Sequence, residues 1–246
     1  MAIYIGIDDT DNRGSRGTGF RSRQMASELE LAGFGQVFGI IRHQLYLHEE
    51  ILSTSQNGSN SIIVECSDLE GLKIFCRNFM IREALPGSNG GLCIVDAELI
   101  PGEVEEWGRR AKRELVDQQE AHDIAARNNI YLTGIFGTHS GVIGALAAVG
   151  LRKTGNDGRF IWQPGKQLRD LQGSMTVEEF KRGTQIDDII TKEGKILGPE
   201  EMIDLTDWVR AVLINNKAYV LAERNLKRSG SDWKTADKDY IRKLGS

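Results

Sequence analysis

Residues 3–12, Ile3-Tyr4-Ile5-Gly6-Ile7-Asp8-Asp9-Thr10-Asp11-Asn12, pass from an apolar run straight into three carboxylates. The apolar run is short, so it predicts a buried strand over Ile3 to Ile7 that ends at Asp8. The polar residues and the glycines behind them form a loop. Thr18 is placed to cap a helix of about Phe20 to Ala32, closed by Gly33.

Working outward, strands are expected at Val37 to Leu47, Ser61 to Cys66, Leu92 to Val95 and Ile130 to Phe136. Helical spacing marks Leu69 to Leu85, where Leu72, Cys76, Phe79 and Met80 share a face. It also marks Glu103 to Asn128, read as one helix because Val104, Trp107, Ala111 and Leu115 recur at steps of three and four. Gly137-Thr138-His139-Ser140-Gly141 leads into an apolar helix, Val142 to Val149. Beyond Gly150 the pattern weakens. Met175 to Arg182 carries a capping-box pair in Thr176 and Glu179. Trp208 to Leu213 and Lys217 to Glu223 flank Ile214-Asn215-Asn216 as a hairpin. The tail from Arg224 is polar. Strands and helices mix without strict alternation, which predicts the α+β class, with mixed sheets and packed helices.

The 246 residues are 40% hydrophobic and 27% charged, ordinary values for a globular protein. Glycine is in excess, 28 residues against 4 prolines, with no repeat to account for it. A formal net charge of −4 argues against a generally basic nucleic-acid binder, although Asp207 to Ser246 holds nine Lys or Arg against five Asp or Glu. Cys66, Cys76 and Cys93 have no paired spacing, which excludes a zinc ribbon and suits core packing. The longest apolar stretch, Val142 to Leu151, is about half the length that spans a bilayer. A cytoplasmic protein without a membrane partner is expected.

Three carboxylates at one strand end raise each other's pKa unless a cation intervenes, and magnesium favours one or two carboxylates with phosphate oxygens and water. Asp8, Asp9 and Asp11 therefore suit a metal site, or else a solvated turn with Asx hydrogen bonds. Arg13, Arg16, Arg21 and Arg23, with Gly14, Gly17 and Gly19 between them, follow directly. A glycine-rich loop entering a helix favours anions, and arginine pairs with phosphate; a charged helix start is the alternative. The second glycine-rich entry, Gly137 to Gly144, lacks Walker A spacing and reads as an anion site or as close helix–sheet packing. Asn57-Gly58 is a tight turn or a backbone patch that meets a ligand. Of the four histidines, His139 alone lies inside a glycine loop.

With these residues in view, the chain resembles the N-terminal half of the archaeal enzyme isoleucine-tRNA agmatinylcytidine synthetase. The resemblance rests on GIDDTD at Gly6 to Asp11, Thr18, Asn57-Gly58 before Ser61 to Glu65, and Asn89-Gly90-Gly91 with Val95-Asp96. Glu120-Ala121 and IGALAAVG within Gly141 to Gly150 extend it, and it thins beyond residue 150. That family couples ATP breakdown to activation of a cytosine oxygen and displacement by agmatine. The resemblance implies a kinase-like ATP and metal domain over residues 1–155 and a ferredoxin-like portion with a basic tail over 156–246. It implies that Asp8, Asp9 and Asp11 hold magnesium and the ATP phosphates, and that Thr18 stands where the family has an autophosphorylated threonine. Arg13, Arg16, Gly17, Asn57, Gly58, Asn89, His139, Ser140, Gly141 and Gly144 would surround nucleotide or amine. The family's basic residue before its Asn-Gly turn is replaced by Ser55-Gln56, and its glycine-arginine pair before the apolar helix by His139-Ser140. Its OB-fold and zinc ribbon have no counterpart in these residues.

The expected activity is a stand-alone, ATP- and magnesium-dependent phosphotransferase or ligase acting on a small-molecule acceptor. The alternatives are a truncated tRNA-modifying enzyme and a non-catalytic nucleotide- or polyamine-binding protein.

Overall fold

The computed structural model describes residues 1–12, 14–51, 57–83, 85–226 and 231–244. The chain divides into two compact units, the first Met1–Thr154 and the second beginning at Gly155.

The first unit runs β1 (Ala2–Asp8), α1 (Thr18–Leu31), β2 (Gln36–Gln44), β3 (Gly58–Glu65), α2 (Leu69–Glu83) and β4 (Gly91–Asp96). It continues with α3 (Gly102–Ala111), α4 (Gln118–Arg127), β5 (Tyr131–Gly134) and α5 (Gly141–Thr154). Its strands form an antiparallel sheet in the order β5-β4-β1-β3-β2, which puts β1 at the centre. Ile5 of β1 stands opposite Ile62 of β3 and Ile94 of β4. Alternate residues of a strand face opposite sides, so the fully buried Ile3, Ile5 and Ile7 share one face. Tyr4 on the other face joins Cys93 and Val95 in a core with Trp107, Ile124, Val142, Leu146 and Val149. Helix α5 is apolar almost all round and packs against β1, β3 and β4, with α3 and α4 beside it. Helices α1 and α2 pack against each other, α1 along β1 to β3 and α2 on β4.

The second unit contains β6 (Arg159–Trp162), β7 (Ser174–Thr176), α6 (Val177–Lys181), β8 (Asp188–Thr191) and β9 (Met202–Asp204). It ends with β10 (Ala211–Ile214), β11 (Lys217–Arg224), β12 (Trp233–Thr235) and α7 (Lys238–Leu244). The strands run in the order β6-β10-β11-β12-β9-β7, and β8 pairs in parallel with β11. The β10–β11 turn sets Asn215 and Asn216 at φ 50° and 60°, a left-handed pair that matches strand twist. The capping box at Thr176 and Glu179 is formed at the start of α6.

The class is α+β as expected, and four local readings change. The long helix from Glu103 is two helices: α3 stops at Ala111, and Asp117 starts α4 by accepting from Gln119 N at 2.7 Å and Glu120 N at 3.2 Å. Thr18 is the first residue of α1 rather than its cap, and Gly17 holds the cap position. Trp208 lies before its strand, which begins at Ala211. The weakly patterned stretch after Gly150 contains four short strands, β6 to β9. Cys66, Cys76 and Cys93 are all buried and unbridged, and burial pushes the Cys76 and Cys93 thiols up. No helix among the described residues is long and apolar enough to cross a membrane.

Candidate functional site

Two helices of the first unit begin beside the end of β1, and each start is made by glycine. Gly17 precedes α1 with φ 83°. Gly141 opens α5 so close to the sheet that a Cβ there would lie 2.5 Å from Gly91 N and 3.0 Å from Asp8 O. A Cβ on Gly144, in the same first turn, would lie 1.8 Å from Asp8 Oδ2. These glycines therefore allow the close helix–sheet packing that the second glycine loop suggested, and they border a cavity as well. The N–H groups of Gly141, Val142 and Ile143 already donate to Asn89 O, His139 O and Ser140 O, so the start of α5 offers a partial positive charge rather than free donors.

The acidic loop is held by a hydrogen-bond network. Asp9 sits in the left-handed region at φ 48°, and its N–H donates to Asp8 Oδ1 at 2.8 Å. Asn89 Nδ2 donates to Asp9 Oδ2 at 3.1 Å. Asn89 Oδ1 accepts from the N–H and hydroxyl of Thr138 at 2.9 and 3.1 Å, and its carbonyl accepts from Gly141 N at 2.9 Å. One asparagine thus ties the acidic loop to the loop before α5. On the other side, the Thr18 hydroxyl donates to Asp11 Oδ1 at 2.6 Å and accepts from Thr10 N at 3.3 Å.

Burial raises the Asp8 carboxyl from its ordinary 3.8 to about 7, with the charge of Asp9 as the next cause. The Asp9 N–H and the Arg42 guanidinium oppose the shift. Asp9 is also raised, chiefly by burial, with Asn89 opposing. The charge of Asp9 adds to the cost of ionising Asp8, and that like-charge part is what a cation between the two carboxylates relieves.

These groups line a cavity of about 530 Å³. Asp8, Asp9, Asp11, Gly17, Thr18, Asn57, Gly58, Asn89, Ser140, Gly141 and Gly144 all border it. Asn57 does so as a continuation of the β2–β3 pairing rather than as the tight turn expected, with Nδ2 donating to Tyr46 O at 2.8 Å and its carbonyl accepting from Leu45 N at 3.0 Å, and Gly58 begins β3. Arg16 does not line this cavity: its guanidinium stacks 4.2 Å over the Phe20 ring, in an adjoining hollow with Ser15, Arg21 and Leu85 that shares Gly17 with the cavity. His139, at φ 64°, packs its ring against Gly134 and is not part of the cavity wall. Arg13 and the Ser55-Gln56 pair lie outside the described residues. Among the described residues, no three His, Cys, Asp or Glu side chains converge as a metal cage.

The sequence reading missed Arg42, Thr138 and the wall formed by Leu45, Leu115, Val116 and Ile143, with Glu50 and Glu114 beside it. Val116 and Ile143 extend the buried core that contains Leu45 and Ala111, so the wall is continuous with it. Arg42 left a signal, a lone charge within the apolar run Val37 to Leu47. Leu115 was absorbed into a helix that ends four residues earlier.

No family model matches the chain. An uncharacterized protein of Methanocaldococcus jannaschii is 31% identical over 153 residues, which are 61% of this chain and 49% of that protein. The chain thus spans about half the length of this curated relative. A crystal structure of TiaS in complex with an isoleucine tRNA and ATP is 28% identical, with a TM-score of 0.54, over 61% of this chain and 36% of that one. The fold of apo TiaS, a tRNA agmatidine synthetase, aligns with a TM-score of 0.54 over 91% of this chain and 64% of its own, at 18% identity. The chain resembles the N-terminal region of TiaS in fold, as its GIDDTD and IGALAAVG segments imply.

Proposed function

We propose that this chain is a magnesium-dependent, ATP-using enzyme of the phosphotransferase or ligase type, acting within tRNA modification or a reaction derived from it. The observation that carries the reading is the convergence of Asp8 and Asp9 with the starts of α1 and α5 on one cavity. Helix starts attract phosphate, but Asp8, Asp9, Asp11, Glu50 and Glu114 make the cavity strongly acidic. A polyphosphate enters such a site only with a divalent cation. Asp8 and Asp9, with Asp11 beside them, are a donor set suited to magnesium, which takes one or two carboxylates and completes its shell with phosphate oxygens and water. Bound there, the ion would neutralise charge on the phosphates and on the transferred phosphoryl group.

The chain's own groups divide the remaining work. Gly141 and Gly144 let α5 begin against the strand end and Asp8, so that the positive end of its dipole faces the phosphates. Asn89 fixes Asp9 and the loop at Thr138. Asp11 orients the Thr18 hydroxyl by accepting its hydrogen bond. Leu45, Leu115, Val116 and Ile143 offer an apolar wall for the acceptor, and Glu50 and Glu114 suit an amine at its edge. The partners bound to TiaS, an isoleucine tRNA and ATP, support ATP as the energy source and favour an RNA-borne acceptor. The kinase-like and ferredoxin-like labels for the two units, and a cytoplasmic site of action, belong to the same proposal.

The test is ATP breakdown by the full chain, with and without magnesium, in the presence of agmatine and tRNA separately and together. The reading predicts magnesium-dependent turnover that Asp8→Asn abolishes. Turnover indifferent to magnesium, or to Asp8→Asn, contradicts it.

A further inference from the structure

The cavity poses a charge problem that its carboxylates make acute. Asp8, Asp9, Asp11, Glu50 and Glu114 line it, and among the described residues of its wall Arg42 alone carries a fixed positive charge. Arg16, expected to pair with phosphate, stacks on Phe20, and His139, which stands where the resembled family has a glycine-arginine pair, packs on Gly134.

Arg42 comes from the sheet rather than from a loop. It lies near the end of β2, flanked by the fully buried Ile41 and His43, and stands opposite Asn60 of β3. Asn60 in turn stands opposite Ile7 of β1, and paired residues share a face, so Arg42 lies on the Ile7 side of the sheet; Asp8 lies on the other side against Gly144, and the two side chains border the cavity from opposite faces. Gly58 leaves room for the guanidinium. A Cβ at Gly58 would lie 3.0 Å from Arg42 Nη2 and 2.8 Å from His43 O. Gly58, the first residue of β3, thus clears the space in which Arg42 reaches the cavity that Asn57 and Gly58 also border.

We propose that Arg42 is the fixed cationic contact for the phosphate chain of the nucleotide, a role that Arg16 and His139 are not placed to fill. The proposal rests on the reading of the cavity as a nucleotide site. A guanidinium cannot be a metal ligand, and its planar fork matches two phosphate oxygens. A side chain rooted in a sheet is held more exactly than one on a loop. In the ligand-free protein its charge lowers the cost of ionising Asp8. In the complex it would meet phosphate while the metal takes over the carboxylates.

The experiment measures equilibrium binding of magnesium-ATP and of adenosine to the full chain and to Arg42→Gln, Arg42→Lys and Gly58→Ala. A charged hydrogen-bonded contact is worth about 1.5–3 kcal/mol, or roughly 10- to 150-fold. Arg42→Gln should weaken magnesium-ATP by that factor and leave adenosine unchanged. Arg42→Lys, which keeps the charge beside Asp8 and loses the fork, should fall between, and it carries the test if Arg42→Gln does not fold. Gly58→Ala should shift the same ratio in the same direction. Wild-type binding of magnesium-ATP, with an unchanged ratio in Arg42→Gln or in Arg42→Lys, overturns the role of Arg42 and leaves the nucleotide site standing. Failure of the wild type to bind magnesium-ATP removes both.

Discussion

Asp8 and Gly144 touch: a methyl group added to Gly144 would lie 1.8 Å from Asp8 Oδ2, well inside contact distance. The carboxylate of the strand end therefore occupies the space that any other residue in the first turn of α5 would claim. Gly144→Ala gains about 1 kcal/mol of helix propensity but must displace a buried carboxylate, and overpacking of this kind costs about 1–3 kcal/mol. The expected outcome is a lower melting temperature and a loss of magnesium-ATP affinity of at least about tenfold. Thermal unfolding and a nucleotide titration check it, and wild-type affinity in the variant would show that Asp8 is not held against α5.

Asn89 connects two loops through one side chain, since it donates to Asp9 and accepts twice from Thr138. Asn89→Asp removes the donor and sets a carboxylate against Asp9. A destabilisation of about 1–3 kcal/mol in urea unfolding is expected, as for a buried polar group left unsatisfied. Hydrogen exchange at the Thr138 amide should accelerate in Asn89→Ala. Unchanged protection there would place the anchor of that loop elsewhere.

The raised carboxyl of Asp8 has a consequence for stability. Its folded value is about 7 against an ordinary 3.8, so the folded protein binds this proton more tightly than the unfolded chain. Stability from this group is thus fully present at acid pH and declines as pH rises through the interval from about 4 to about 7. The magnitude is on the order of a few kcal/mol. Asp8→Asn, tested without metal or nucleotide, should be more stable than wild type at pH 8, and the gap should close toward pH 4. Equal stability of the two proteins at pH 8 would contradict the burial argument.

The turn between α3 and α4 was illegible for a specific reason. Val104, Trp107, Ala111 and Leu115 keep helical spacing across it, yet Leu115 is 46% exposed and borders the cavity. The stop signal was Asp117 followed by Glu120, a cap hidden inside a longer periodic run. The central strand and acidic loop were legible because an apolar run ending in three aspartates has few alternatives. The glycine loops were legible as positions but ambiguous as chemistry, because close packing and anion binding both call for glycine. Arg42 was missed because reading a strand as buried conceals the residues in it, here Arg42 and Leu45, that border a cavity. In the second unit, β6 to β9, of three or four residues each, are too short to show a period, whereas the eight-residue β11 was legible.

The cap itself is testable. Asp117→Ala removes acceptors for Gln119 N and Glu120 N and should cost about 1 kcal/mol. Because the same turn carries Leu115 and Val116, the variant should bind the acceptor less tightly while its affinity for magnesium-ATP holds. An equal loss for both ligands would mean that the turn does not separate the two ends of the cavity.

The most direct test of the central claim is a crystal structure of the full chain with magnesium and a non-hydrolysable ATP analogue. The account predicts phosphates lodged between the Asp8–Asp11 loop and the start of α5 at Gly141 and Gly144, with the ion on Asp8 or Asp9. A nucleotide bound with its phosphates away from Asp8 and Gly141 would contradict it.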